Sequence, residues 1–456
     1  MSTFDLKKGY NLFIGTEPEQ NITEISSPEL IKINPFDFKY IKPKSLVKVG
    51  DKVLVGTPIL MDKNNPDFKY TSPCSGSIDE IDYGERRKLN SINIKNDHQY
   101  EQLEQTILKQ NEHKTVKSMD VDILKNIILE SGLWCTIRRR PFSTIPSIDK
   151  PPKSIFVSFT PTYPLAGDQS FILNHDSNGF FQGLDILSRL TDGFVHLCMG
   201  RGQKIPHLDS LKKVKVHYFS GPHPSGNIGV QIHHIDPISN RNDYVWYIHP
   251  QDICSLGKLF QTNLINSSKV ITIGGTGCTS PQYVKIKRGT PVNHILKELN
   301  LDIDDRSCFI SGDVLSGKKI TTEHSVGFYD ECITILKEEK TREFLGWLSF
   351  GFNKFTITNS YLSRFNVNRP SHKGTMKNGS ERPIVPIGLW EKMLPMDILP
   401  TFLIKSILAE DIEDMERLGI YETAGEDFAL CSFICQSKVE VSQIIENGLK
   451  LVHDDG

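Results

Sequence analysis

With 456 residues, 38% of them hydrophobic and 24% charged, the chain has material for about two to four ordinary domains, each with its own core. A formal net charge of −2 provides no global basic field to draw it to nucleic acid or acidic lipid, and no apolar run approaches the ~18 residues that span a bilayer. Met1–Gly9 is polar and lacks the apolar core of a signal peptide, so a protein made and kept in the cytoplasm is expected.

Residues 1–30 are mixed and polar and read as an irregular lead-in. From Val47 to Leu60 and again from Tyr70 to Ile78, β-branched residues alternate with Gly-Asp and Gly-Thr-Pro breaks, the pattern of short strands joined by tight turns. These two halves resemble the barrel-sandwich module of biotinyl and lipoyl carrier domains. A carrier presents its modifiable lysine on a tight hairpin between the halves. Here Met61–Lys69 is longer and interrupted by Pro66, so Lys63 and Lys69 lack a carrier context and the module reads as a scaffold.

Asp120–Ser131 has the apolar spacing of an amphipathic helix, with Gly132 as its stop. Gly132–Pro146 follows as a loop bounded by prolines, carrying Trp134, three consecutive arginines (Arg138 to Arg140) and Phe142. Such a loop can grip an anion and stack on a flat ring; it can equally be a solvated basic turn against a partner. Strands at Ser154–Phe159, Phe194–Met199, Val214–Phe219 and Tyr244–Ile248, with helices at Phe180–Leu190 and Pro250–Phe260, make an α/β unit. The loop after its first strand, Thr160–Gly167, is not G-x-G-x-x-G, which argues against ordinary dinucleotide binding there.

Val214–Phe219 runs into Gly221-Pro-His-Pro-Ser-Gly-Asn-Ile-Gly229, too rich in glycine and proline for a helix or a central strand. Loops at the carboxyl ends of such strands are where α/β folds place ligands. His223, Gly221, Gly226, Gly229 and the amides of Ser225 to Gly229 are therefore candidates to face an anion, a ring or another protein; the alternative is a rigid turn. Val270–Gly277 imitates a nucleotide loop, but a turn and a second strand follow it rather than a helix. With a helix starting near Gly289, a return strand at Cys308–Leu315 and a last one at Ile333–Lys337, this order resembles the β-grasp module called SLBB. Thr341–Gly456 is punctuated by prolines and carries helical patterns at Thr401–Ala409, Ile412–Leu418, Asp427–Cys435 and Val439–Leu451.

The expected fold class is therefore a multidomain α/β and α+β chain: lead-in and barrel-sandwich module over 1–100, a Rossmann-like α/β domain over 101–265, an SLBB β-grasp module over 266–340, and a mostly helical domain over 341–456. Nine dispersed cysteines argue for reduced, mostly buried thiols rather than a disulfide frame. Only Cys431 and Cys435 lie close together. They offer two ligands where a structural zinc or an iron–sulfur cluster needs four, and a helix also places positions i and i+4 on one buried face. No metal site is expected.

Several short stretches recur in order over nearly the whole chain: Ser131-Gly-Leu-Trp134 with Arg138 and Arg140-Pro-Phe142, Gly183–Ser188, Gly221–Gly226, Gly257-Lys-Leu-Phe260, Phe344-Leu-Gly-Trp347, Asn353-Lys-Phe355, Asn378-Gly-Ser380, Val385–Gly388, Leu394–Asp397, and Ala429-Leu-Cys431 with Cys435. Together they resemble the A-subunit family of the bacterial Na+-translocating NADH:quinone oxidoreductases. Gln231 and Gln436 depart from that pattern, which has histidine and proline there.

The family is similar in architecture to the flavin-binding subunit of complex I and the C subunit of the Rnf complex. In those relatives a glycine-rich flavin loop stands in place of Gly132–Phe142, and a cysteine-rich cluster segment in place of Cys431 and Cys435. The resemblance thus implies a chain that keeps the scaffold and holds neither flavin nor iron–sulfur centre. It implies a peripheral subunit on the cytoplasmic side of the inner membrane, in a six-subunit complex that passes electrons from NADH to ubiquinone and exports Na+. NADH, flavins and the 2Fe-2S centre would belong to the partner subunits B to F. Catalysis is expected of the complex rather than of this chain alone, and no side chain stands out as catalytic. Phe36, Phe38 and Tyr40 before the barrel module, with Trp134, Arg138, Arg140 and Phe142, are the candidates for a quinone site, which needs an apolar slot, a stacking ring and donors for the carbonyl oxygens. Docking of the same loops on a membrane-embedded neighbour is the competing reading. A purely structural adaptor without a ligand site is the alternative function; an independent flavin or NAD dehydrogenase and a biotinyl or lipoyl carrier are disfavoured by the missing loops and the missing lysine context.

Overall fold

The computed structural model describes residues 2–455 other than 175, 206–207, 339–344, 353, 359, 366–374 and 378. Phe344, Asn353 and Asn378, which carry part of the family resemblance, lie outside the described residues.

The barrel-sandwich region forms two facing sheets. One has the order Leu30–Ile33, Leu89–Asn96, Gly76–Tyr83, Lys52–Val53; the other has Pro43–Ser45, Pro58–Asp62, Lys69–Thr71. Alternation along these strands turns Ile31, Ile33, Ile59, Ile78, Ile92 and Ile94 into a shared core with Phe38, Phe68 and Tyr70.

A six-stranded sheet in the order Ser2–Asp5, Val214–Ser220, Val195–Gly200, Ser154–Ser158, Val245–Tyr247, Arg138–Arg140 makes the second region. All neighbours are parallel except the last pair. Helices Ser177–Arg189 and Pro250–Thr262 cover one face, burying Leu184, Leu187, Ile253 and Leu256 against Ile155, Val157, Val195 and Leu197. The helix Ile228–Ile235 and the C-terminal helices cover the other face, over Phe156, Cys198 and Phe219. Burial on both faces explains the near-continuous apolar runs of these strands.

The third region is another six-stranded sheet: Lys318–Ile320, Ser307–Ser311, Cys332–Lys337, Ser268–Gly274, Gln282–Lys287, Glu19–Glu24, with the helix Val292–Glu298 contributing Ile295 and Leu296 to its core. At the C-terminus, helices Leu389–Met393, Pro400–Leu408, Ile412–Arg417, Ala429–Ile434 and Val441–Asp455 enclose Leu403, Ile404, Met415, Phe428, Ile445 and Leu449.

Two expectations are corrected here. The lead-in is not irregular: Ser2–Asp5 is the edge strand of the second sheet and Glu19–Glu24 the edge strand of the third. Polar edge strands take their conformation from the ladder they complete, which a local pattern does not record. Nor is Gly132–Pro146 a solvated turn. Gly132 stops the preceding helix in the left-handed region at φ 76°, Leu133–Thr136 makes a 3-10 turn, and Arg138–Arg140 pairs antiparallel with Val245–Tyr247. The two-residue period of a strand puts Arg138 and Arg140 on one face, over the Tyr247 ring at 4.5 and 5.6 Å, and Arg139 on the other, over Tyr244 at 5.0 Å.

Candidate functional site

Asn34 caps the short turn Pro35–Asp37, its side-chain oxygen accepting from the Phe36 amide at 3.2 Å. The turn sends neighbouring side chains in opposite directions. Asp37 points inward, where its carboxylate accepts from the Phe328 amide at 2.8 Å and burial raises its pKa to about 7. Phe38 is also inward, among Phe68, Tyr70 and Phe328. Phe36 faces out, 41% exposed, with the Lys88 ammonium 4.2 Å from its ring centroid. Tyr40, left-handed at φ 60°, stacks on His453 at 4.4 Å, and burial pushes its phenol upward, so it stays an O–H donor at neutral pH.

Opposite this turn lies the C-terminal helix, presenting Gln443, Glu446, Asn447 and Lys450 from one side. Between them is an open cleft of about 350 Å³, with Phe36 and Tyr40 on its wall and Phe38 at its base. Lys39 Nζ and Glu446 Oε2, 2.6 Å apart, tie the two sides together. The cleft offers an aromatic face, a phenol and the ammonium groups of Lys39, Lys88 and Lys450, a set suited to a flat ring bearing hydrogen-bond acceptors.

The second group of candidates sits behind this cleft. Phe142 is buried, its ring edge-on to His453 at 5.2 Å, so His453 lies between Tyr40 and Phe142. Arg140 is fully buried, with Nη2 2.6 Å from Glu426 Oε1 and Nη1 3.6 Å from Asp427 Oδ2. Burial raises the Asp427 carboxyl; burial pushes Glu426 the same way, but the charges of Arg140, Arg138 and Lys39 with the Arg140 hydrogen bond together outweigh it and lower Glu426. The amide of Gly425 donates to Glu446 Oε1 at 2.9 Å, which joins this buried network to the cleft wall. Arg138 lies over Tyr329 at 4.3 Å as well as over Tyr247. Trp134 is a core residue, only 2% exposed, packed edge-on against Trp246 and donating from Nε1 to the Pro146 carbonyl at 2.9 Å. The aromatic turn and the arginine strand therefore meet through His453 and Glu446, while Trp134 stands apart.

His453, Lys88 and the polar face of the C-terminal helix were not among the residues read from the sequence. The spacing of Gln443, Glu446, Asn447 and Lys450 does mark one helix face, but nothing local says that it meets the barrel module.

Gly221–Gly229 follows Val214–Ser220 and leads directly into the helix Ile228–Ile235. Three of its amides are bonded within the fold: Ser225 to Pro222 O, Asn227 to Pro224 O, and Gly226 to Thr162 Oγ1 at 3.0 Å. His223 is buried, its amide donating to Asn11 Oδ1 at 2.8 Å and its ring meeting Thr162, and burial lowers its pKa to about 4. A Cβ on Gly221 would stand 2.2 Å from Leu6 O, and one on Gly229 2.2 Å from Asp427 Oδ2. The loop is a junction of the N-terminal segment, the Thr160–Gly167 loop and the helical region.

Cys431 and Cys435 are both buried, and the Cys431 thiol donates to Trp390 O at 3.7 Å. Among the described residues no three His, Cys, Asp or Glu side chains converge as metal ligands, and no helix is long and apolar enough to cross a membrane.

Two family models match the chain: the NqrA N-terminal barrel-sandwich hybrid domain over residues 4–97 and the NqrA second alpha/beta domain over 119–265. Among relatives, the A subunit of the Na(+)-translocating NADH-quinone reductase of Rhodopirellula baltica is 35% identical, the match covering 99% of this chain and 98% of that one. The protein of the same name from Vibrio atlanticus is 34% identical, with 99% of each chain covered. Among solved structures, an air-oxidized NAD+-reducing [NiFe]-hydrogenase aligns with 72% of this chain and 62% of its own at a TM-score of 0.41 and 11% identity, too slight a likeness to carry an argument.

Proposed function

Because the chain belongs to the A-subunit family of the Na(+)-translocating NADH-quinone reductases, we propose that it serves the quinone-reducing step and that the cleft between the Phe36–Tyr40 turn and the C-terminal helix receives the ubiquinone head group. The observation that carries this reading is the convergence of Phe36, Tyr40 and Lys88 on one open cleft, together with Lys39, paired to Glu446, and Lys450, paired to Asp454. A quinone ring stacks on Phe36, and its carbonyl oxygens accept hydrogen bonds from Tyr40 and the ammonium groups. Negative charge gathers on those oxygens during reduction, and fixed cations stabilise it. Phe38 sets the base of the cleft. Arg138, Arg140 and Phe142 hold the wall behind it, Trp134 is a core residue apart from the cleft, and Gly221, His223, Gly226 and Gly229 serve as an internal interface rather than a ligand loop.

In this reading electrons reach the site from elsewhere: NADH, the flavins and the 2Fe-2S centre sit in partner subunits B to F, which also carry the Na+ path, and this chain lies peripherally on the cytoplasmic side of the inner membrane. We read its second sheet as Rossmann-like and its third as an SLBB β-grasp, on the order of their strands and helices. The test is calorimetric titration of the purified full chain with a short-chain ubiquinone. Saturable binding is expected, weakened at least about tenfold by Phe36→Ala or Lys88→Ala, the scale of one lost cation–π or stacking contact. Absence of saturable binding would sink the cleft reading and leave a structural adaptor.

A further inference from the structure

From 344 to 380 the sequence carries Lys354, Arg364, Arg369, Lys373 and Lys377 and no aspartate or glutamate, in a chain whose formal net charge is −2. The described residues between 345 and 365 form a closed loop. The Leu362 amide donates to Phe350 O at 3.0 Å, the Ser363 amide donates to Gly351 O at 3.3 Å, and the Lys354 ammonium donates to the Gly346 carbonyl. Phe355 turns inward, edge-on to Tyr10 at 5.7 Å and to Phe433 at 5.2 Å, and fastens the loop to the body of the molecule. Six large apolar side chains turn outward instead: Leu345, Leu348, Phe350, Phe352, Leu362 and Phe365. Phe350 and Phe365, at 76% and 70%, are the most exposed large apolar side chains among the described residues. The Phe350 and Phe352 rings lie 6.5 Å apart, and the Arg364 guanidinium lies 4.5 Å over Phe365, so ring and charge are presented together.

A cluster of exposed aromatic and leucine side chains marks a surface that something apolar covers. The charge decides what. Lys377 pairs with Glu440 outside the stretch, while within it no carboxylate balances Lys354 and Arg364. An anionic lipid surface supplies both halves of the match, an acyl boundary for the rings and phosphates for the cations. Resting on the peripheral placement proposed above, we propose that the loop at 345–365 is the chain's own contact with an anionic lipid leaflet. Leu348, Phe350, Phe352 and Phe365 enter the head-group boundary, and Arg364 and Lys354 meet the lipid phosphates. The contact is interfacial, since no helix among the described residues is long and apolar enough to cross a membrane. The quinone cleft takes no part in it.

The purified full chain is sedimented with vesicles of phosphatidylcholine alone and of phosphatidylcholine mixed with phosphatidylglycerol. Binding to the mixed vesicles is expected to be at least about tenfold stronger, at about fivefold for each cation near the surface, and to weaken as salt is raised. The double variant Phe350→Ser with Phe352→Ser, both exposed and so harmless to folding, should weaken it at least about tenfold. Arg364→Gln should weaken it about fivefold on mixed vesicles and leave any binding to phosphatidylcholine unchanged. No binding to either vesicle, equal binding to both, or binding untouched by these variants overturns the lipid contact and makes the loop a protein interface. Fractionation of cells producing the assembled complex tests the placement separately. A chain that sediments with membranes there but ignores vesicles sinks only the lipid contact, and a chain found in the soluble fraction sinks the peripheral placement and this inference with it.

Discussion

His223 shows how a residue with the chemistry of a catalyst can be used for packing. Its ring is enclosed, Nε2 has no hydrogen-bond partner, and burial holds its pKa near 4, well below the ordinary value of about 6.5. The folded state therefore favours the neutral ring. Its contribution to stability is complete above pH ~6.5 and is lost as pH falls from there toward 4, because only the unfolded chain takes up the proton in that window. The slope is about 1.4 kcal/mol per pH unit. His196 and His217, buried side by side with Nδ1 and Nε2 3.0 Å apart and each lowered to about 4, act in the same direction. His223→Gln should accordingly reduce the pH dependence of urea-unfolding stability between pH 6.5 and 4 by about that slope, with little change in the dependence above pH 7. An unchanged slope would mean that the ring is protonated inside the fold. Arg140 carries the complementary lesson: in the sequence it belongs to a basic run that suits an anion, but its partners, Glu426 and Asp427, are supplied by residues almost three hundred positions away.

The two helices on the outer face of the second sheet, Ser177–Arg189 and Pro250–Thr262, touch backbone to backbone. A Cβ on Gly257 would stand 1.9 Å from Gly179 O and 2.9 Å from Gly183 N, and one on Gly183 would stand 2.1 Å from Ile253 O. Helix propensity alone predicts that Gly257→Ala stabilises by about 1 kcal/mol. Close packing predicts the reverse, because the crossing must open and Leu184, Leu187 and Ile253 then lose contact; the expected net cost is about 2 kcal/mol or more, read from the shift in denaturation midpoint. A stabilised variant would refute the crossing geometry. Both helices were legible from their apolar spacing, and so were the strands named between residues 154 and 337 that pair in the second and third sheets, because their cores are local in sequence and strongly patterned. The crossing itself was not: Gly183 and Gly257 stood out only as residues shared with a family, since a missing side chain leaves no periodic signal of what it approaches. The helix Ile228–Ile235 was hidden for a related reason, its first turn being read as part of a glycine–proline loop.

At the scale of the whole chain, segments far apart in sequence share cores: Phe142, Phe156, Cys198 and Phe219 pack in one cluster with Leu403, Phe428, Ile445 and Leu449. The barrel-sandwich region was readable as a unit, yet its aromatic turn becomes a candidate site only where the last helix, some four hundred residues on, closes against it through Lys39, Tyr40, Glu446 and His453. The N-terminal segment weaves furthest. Ser2–Asp5 completes the second sheet, Phe4 stacks on Phe219 at 4.8 Å, the Leu6 amide donates to Ser220 O, and the Tyr10 amide donates to His223 O. Glu19–Glu24 then completes the third sheet before the chain enters the barrel. Deleting residues 2–11 should therefore damage a region more than two hundred positions away, costing about 2 kcal/mol or more through the exposed Phe4 and Leu6 contacts and leaving the edge of Val214–Ser220 unpaired. Native-state hydrogen exchange separates the outcomes. Amides of Val214–Ser220 and of the Gly221–Gly229 loop should lose protection while those of Leu89–Asn96 in the barrel retain theirs. Uniform loss would show that the N-terminal strand stabilises one cooperative body rather than one sheet, and no loss would show that the edge pairing contributes nothing to the fold it borders.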